Sequence, residues 1–212
     1  MGRHKVLNTP ALRRMPSYLH KLVQMERDGE DYASTSKLAE YMDIDPIIVR
    51  KDVELTGIKG LPGVGYPTGK LICAIRAYLG WDQRRPACLV GAGSLGSALL
   101  GFEDFAEYGM DIVDVFDVDP AKTGTFIHGH LVRDVSEMPE RIAIETPAVA
   151  IICVSAKCAQ SVVDTLVECG VCAFWNFANI SLQVPPHVVV QREVIAGGFA
   201  VLSMKLKTHT KQ

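Results

Sequence analysis

Residues 87–117 read ACLVGAGSLGSALLGFEDFAEYGMDIVDVFD, and this stretch decides the fold of the larger part of the chain. An apolar run leads into Gly91, Gly93 and Gly96 at GxGxxG spacing; a helical segment and a second apolar run follow, ending on Asp117. Each glycine has its own task in such a unit. The first permits a tight turn, the second lets backbone approach a pyrophosphate, and the third lets the helix pack closely on the strand. The helix start adds free N–H groups and the positive end of the helix dipole. Backbone of Gly91, Ala92, Gly93, Ser94, Leu95 and Gly96 is therefore expected to cradle the phosphates. Asp117, 21 residues past Gly96, is placed to accept the ribose hydroxyls and to repel a 2′-phosphate, so the unit favours NAD over NADP.

Beyond Asp117 the chain continues for 95 residues. That completes half a sheet but leaves no room for a separate substrate domain. A short strand is expected at 130–132, a buried strand at 149–154, a helix at 156–168 and a strand at 171–174, so the sheet should be mostly parallel. Ligands of open parallel sheets sit beyond the carboxyl ends of the strands. Val154, Ser155, Asn176 and Phe177 thus join the candidate cofactor site. No Ser/His/Asp or Cys/His set has a supporting motif, and Ser155, Lys157 and Asn176 form no acid-base set, so an enzyme is not expected.

The first 80 residues read differently. Asn8, Thr9 and Pro10 start a helix whose apolar positions (Leu12, Met15, Leu19, Leu22, Val23, Met25) continue to about Asp28-Gly29, with a break or restart expected at Pro16 near its front. Ser34, Thr35 and Ser36 cap a second helix. Asp45 and Pro46 open a third, running to about Thr56 with Val49 and Val53 inward. This is helix-turn-helix order, with Arg50 and Lys51 on the exposed side of the third helix, where they can reach phosphates or base edges. KGLPGVGY, residues 59–66, has the glycines and bounding aromatic of a small β-wing. The candidate DNA-facing residues are Ser36, Lys37, Ile47, Arg50 and Lys51 on the helices, and Lys59, Gly63 and Tyr66 in the wing.

Composition fits two small domains: 212 residues, 48% hydrophobic and 22% charged. The net charge of −2 divides unevenly, with 12 Lys and Arg against 9 Asp and Glu in residues 1–80, and 10 against 15 thereafter. A basic small domain is compatible with DNA. Nothing reaches transmembrane length and residues 1–16 lack the apolar core of a secretory signal, so no membrane partner is expected and the address is read as cytoplasmic. Cys73, Cys88 and Cys153 fall in apolar segments and are expected to pack as small hydrophobes, without disulfides. Cys169 and Cys172 form a CxxC, but at a helix end rather than a helix start. They are expected to be packing residues, with Gly170 as helix cap and Cys172 in a strand. Scattered histidines and cysteines give no metal site.

The series SKLAEYMDIDPIIVRKDVELTG, PGVGY, CLVGAGSLGSALL, FDVDPAKTG and WNFANISLQVP, in that order and spacing, resembles the bacterial Rex family of redox-sensing transcriptional repressors over nearly the whole chain. The resemblance implies a homodimer in which an N-terminal winged helix (1–80) binds double-stranded operator DNA and a C-terminal Rossmann domain (81–192) binds NADH, whose rise relative to NAD releases the DNA. It also implies that the final segment (193–212) is a helix exchanged between subunits. The segment VIAGGFAVLSMKLK supports that reading, being apolar almost all round and holding two glycines unfavourable to an isolated helix. The chain departs from the family pattern at Ile48, where Gln is usual, and at Leu61, where a polar or basic residue is usual. Phe102 stands for a Tyr, Asn179 for a Pro and Val194 for an aromatic. Two other readings compete: a small NAD-dependent oxidoreductase, and a Rossmann module for CoA or another nucleotide.

Overall fold

The computed structural model describes residues 8–209; residues 1–7, part of the N-terminal stretch read above, and 210–212, the end of the expected last helix, lie outside them. The chain divides into two compact units between Gln83 and Arg84.

In the first unit α1 (Thr9–Arg27), α2 (Thr35–Met42), α3 (Pro46–Glu54) and α4 (Thr68–Leu79) surround one core. The caps follow the sequence. Asn8 accepts a hydrogen bond from the Ala11 amide, Ser34 from Lys37, and Asp45 from Ile47, each satisfying a donor that a helix start leaves unpaired. Pro16 does not break α1. The carbonyl four residues back loses its helical partner, but Met15, Tyr18, Leu19 and Leu22 are all buried beside it, and their packing offsets a proline penalty of about 3 kcal/mol. Helix α4 went unanticipated. Leu71, Ile72 and Ile75 give it a buried face and Gly80, at φ 71°, ends it. The wing is minimal: β1 (Tyr32–Ala33) pairs antiparallel with β2 (Tyr66–Pro67), and the Leu61 and Gly65 amides and carbonyls bond each other across the tip. Gly65, at φ 115°, admits no side chain, because a Cβ there would lie 2.4 Å from the Ala33 carbonyl oxygen.

The second unit is a seven-stranded sheet in the order β5-β6-β4-β3-β7-β8-β9, parallel apart from the β5–β6 hairpin. The strands are β3 (Arg85–Val90), β4 (Met110–Asp117), β5 (Phe126–Ile127), β6 (His130–Asp134), β7 (Val149–Ile152), β8 (Ala173–Asn176) and β9 (Val189–Arg192). Alternate residues of β3 face opposite layers. Cys88 and Val90 join the core under α6 (Met138–Glu145) and α7 (Ala156–Glu168), while Ala87 and Leu89 join the core that includes Leu100 of α5 (Ser94–Leu100). His128 and Gly129 both have positive φ and form the tight turn of the β5–β6 hairpin. Several boundaries differ from expectation. β7 ends at Ile152, β8 starts two residues late at Ala173, and β5, α6 and β9 were not foreseen because each is short and half-exposed.

The aperiodic stretch after β8 packs Ile180, Leu182 and Val184 against the core and is pinned to α7 by one side chain. Gln160 of α7 donates to the Gln183 carbonyl and accepts from the Gln183 amide, both at 2.9 Å, as a neighbouring strand would. The last helix, α8 (Ala196–His209), begins three residues into the expected segment and buries no residue. Phe199, Val201, Leu202, Met204 and Leu206 are all more than half exposed.

Candidate functional sites

The order of strands reverses between β3 and β7, and the crevice at their carboxyl ends is where open α/β sheets take ligands. The GxGxxG segment lies there. Gly91 turns against the Cys153 backbone and the Val154 side chain, so close that an added Cβ would lie 2.8 Å from the Cys153 carbonyl. Gly96 presses its helix onto the turn: a Cβ would come within 1.9 Å of the Gly91 carbonyl oxygen. At Gly93 an added Cβ meets nothing within 4 Å. The two outer glycines are therefore demanded by the fold, and the middle one faces open space, as a phosphate requires. Ala92 is buried, whereas Ser94 is exposed and Leu95 half-buried at the helix start.

Asp117 ends β4 beside this turn with its carboxylate 9% exposed. It accepts from the Ala92 amide at 2.8 Å and from the Asp119 amide at 2.9 Å, so it braces the glycine turn as well as facing the crevice. The sequence reading missed its cation. Lys122 reaches both Asp117 and Asp119 at 3.3 Å. Desolvation works against that ammonium, but the two carboxylates outweigh it and hold the Lys122 pKa above its ordinary value. Asp119 is held below the usual carboxylate range by the Ala121 amide and Lys122. The xDPxK order of residues 118–122 carried the signal, since a lysine three residues after an Asx turn folds back over it.

Across the crevice Ser155 begins α7 and Val154 is half-buried. Asn176 is fully buried, and its side chain is committed: it accepts from the Ala178 amide at 2.9 Å and donates to the Ile180 carbonyl at 3.1 Å. It shapes the turn that presents Phe177. Phe177 also lines an apolar cavity of about 330 Å³ with Leu99, Phe102, Phe105, Trp175 and Val194. Two of the three departures noted in this unit, Phe102 and Val194, thus meet in one cavity. The third, Asn179, accepts from Arg192 at 2.7 Å. Glu193, at the rim, accepts from the Trp175 indole at 3.3 Å.

The cysteines divide otherwise than expected. Burial pushes the Cys88 and Cys153 thiols up to about 12, so neither supplies thiolate near neutrality. Cys73 and Cys172 are exposed, contrary to the packing role assigned to them: Cys73 lies on the outer face of α4, and Cys172 precedes β8 rather than sitting in it. Cys169 does pack against the core at the end of α7, with Gly170 beyond it at φ 94°.

In the first unit α3 shows Ile47, Arg50, Lys51 and Glu54 outward and buries Val49, Asp52 and Val53. Arg50 and Glu54 share a groove of about 420 Å³ with Ser34, Thr35 and the wing. Lys59 is exposed, and Gly63 forms the wing tip at φ 73°. Ser36 is exposed at the start of α2, whereas Lys37 is already paired with Glu30. Tyr66 packs over Gly60 and against the core, which makes it the foot of the wing. The helical pattern did not reveal the fixing of α3: Asp52, 3% exposed, receives Arg14 and the Tyr18 hydroxyl from α1.

Comparison with known proteins matches the two units separately and the chain as a whole. A family described as "Putative DNA-binding protein N-terminus" matches residues 8–53, and one described as "CoA binding domain" matches residues 82–180. A protein of Treponema denticola named "Redox-sensing transcriptional repressor Rex" is 42% identical over 98% of this chain and 99% of its own length. A protein of the same name from Rubrobacter xylanophilus is 36% identical over 84% of this chain and 83% of its own. Among solved structures, a chain described as "RSP in complex with beta-NAD+ and operator DNA" superposes with a TM-score of 0.85 at 28% identity, covering 97% of this chain and 95% of that one. The same repressor "in complex with beta-NADH" superposes equally well at 26% identity, covering 97% of each.

Proposed function

The chain belongs to the Rex family of redox-sensing transcriptional repressors, and on that premise we propose that it binds double-stranded operator DNA and leaves it when NADH binds. It is a regulator and not an enzyme, and its cofactors are NADH and NAD. One observation carries the reading: a single chain holds both a winged helix with an outward basic helix and a Rossmann sheet whose switch point has an open glycine at the phosphate position.

The working parts follow from the geometry. Residues 1–80 serve DNA, through Arg50, Lys51, Lys59 and the wing; residues 81–192 serve the nucleotide, through the turn 91–96 and Asp117. Phe177 leads from the crevice to the apolar cavity, which suits a neutral reduced nicotinamide better than the cationic oxidised ring. Residues 193–212 serve assembly. Exposed apolar side chains along α8 are covered by the same helix region of a second copy, giving a homodimer with two DNA-binding units for a two-fold operator. No described helix is long and apolar enough to cross a membrane, and we place the repressor in the cytoplasm.

Release requires that NADH bind the DNA-free state more tightly than the DNA-bound state, with NAD discriminating less. Mobility shift of labelled operator DNA, titrated with NADH at fixed NAD, tests this. Progressive loss of the complex supports the reading; an unchanged complex at saturating NADH overturns it. CoA in place of NADH is expected to have no effect.

A further inference from the structure

Ile47 stands on the outward face of α3, 60% exposed, and Ile48 beside it is 38% exposed. Both lie in the first turn, where the Asp45 side chain fixes the backbone by accepting from the Ile47 amide at 2.7 Å. Arg50 follows Ile47 by three residues and Lys51 by four, so they rise from the same face one turn later, and Lys51 follows Ile48 by three. The result is an apolar step framed by two cations, with the core residues Val49, Asp52 and Val53 on the opposite side.

Branched apolar groups so placed cannot pair with phosphates, and water solvates them poorly. In a major groove bounded by phosphate rails, one base group matches them: the C5-methyl of thymine, the apolar feature of an otherwise polar base-edge pattern. The first turn of a recognition helix is also the part that reaches base edges. We infer that Ile47, supported by Ile48, reads a thymine methyl in the operator half-site while Arg50 and Lys51 anchor the flanking backbone or bases. This rests on the DNA-binding reading above. Specificity at that base pair comes from methyl burial and the exclusion of water, and the cations supply affinity that is largely indifferent to sequence.

The test uses the full chain and a duplex selected from a randomised pool. Each thymine of the selected site is replaced in turn by deoxyuridine, which lacks only the methyl. At one thymine of each half-site the change should weaken binding about four-fold, the effect of losing one buried methyl at ~0.8 kcal/mol. The Ile47→Ala variant should bind the unmodified duplex more weakly and no longer distinguish thymine from uracil there, while Ile47→Val retains the distinction. Circular dichroism checks that both variants fold, as expected for an exposed position. If no deoxyuridine substitution matters, or if Ile47→Ala and Ile48→Ala both keep the full methyl dependence, the inference is overturned although the DNA-binding reading survives. If no duplex is selected from the pool, that reading fails and the inference fails with it.

Discussion

The guanidinium of Arg14 on α1 grips the carboxylate of Asp52 on α3 at two points, Nε to Oδ2 at 2.7 Å and Nη2 to Oδ1 at 2.9 Å. The Tyr18 hydroxyl donates to the same carboxylate at 2.8 Å. Asp52 follows Lys51 directly, so this buried clamp fixes the angle at which α3 presents its basic face. Replacing Asp52 by Ala strands a cation and a buried hydroxyl. The expected cost is about 3 kcal/mol, at the low end for a broken buried pair because Arg14 keeps 26% of its side-chain exposure. Urea unfolding of the variant measures it; a loss below ~1 kcal/mol would mean the clamp is incidental.

The glycines of the turn should separate folding from binding. Gly96→Ala drives a methyl into the Gly91 carbonyl and is expected to destabilise the second unit by about 3 kcal/mol or more. Gly93→Val enters open space, so stability should hold within about 1 kcal/mol, the penalty of a poor helix cap, while NADH binding is lost. Calorimetric titration alongside thermal melting distinguishes the two outcomes.

Cofactor choice should follow the Asp117 charge. Asp117→Asn keeps one of the two acceptors for the turn and gives up the charge for ribose, so NADH should bind more weakly by roughly ten-fold or more, with about 1.5 kcal/mol of that from the charged hydrogen bond to ribose. NADPH, no longer repelled, should weaken less or improve. Equal loss for both dinucleotides in competition titrations would remove Asp117 from selectivity.

Alkali should erode stability through groups that fold protonated. Burial raises Cys88 and Cys153 to about 12 from an unfolded value of 9.0, and burial together with Asp52 raises Tyr18 from 10.0. A raised folded pKa contributes in full below the unfolded value and is lost as pH climbs toward the folded one. The unfolding free energy is therefore expected to fall from about pH 9 upward. At pH 8, mass spectrometry after alkylation should show Cys73, Cys158 and Cys172 modified well before Cys88 and Cys153.

Assembly should depend on α8. Changing both Phe199 and Leu202 to Ser removes two large exposed apolar groups, and sedimentation should then report the 23.1 kDa single chain in place of twice that mass. NADH binding through the turn 91–96 is expected to persist.

Much of this was legible because local chemistry decided it. Asp45-Pro46 and Ser34 announced their helices through caps, and the 91–96 spacing announced the turn through steric demands that only glycine meets. What stayed hidden depended on distant partners. Pro16 reads as a break until Tyr18 and Leu22 are seen buried beside it, and Asp52 reads as one more charge of VRKD until Arg14 arrives from 38 residues away. Asn176 shows the limit in the other direction. Its place at a strand end suggested a ligand contact, and nothing in the sequence signals that its amide also holds its own turn through Ala178 and Ile180.

Gln160 gives the stretch after β8 a particular dynamics. A regular strand opens by losing many bonds together, whereas residues 179–187 form no strand and rest on Ile180, Leu182 and Val184 against the core and on one amide that both donates to and accepts from Gln183. Withdrawal of those apolar side chains together with the Gln160 amide is a local opening that leaves the strands closed and lies below global unfolding in free energy. Amide protons of residues 179–187 should accordingly exchange with solvent sooner than those of β7 and β8, which makes the strip beside Asn179 and Phe177 the first edge of the crevice to loosen.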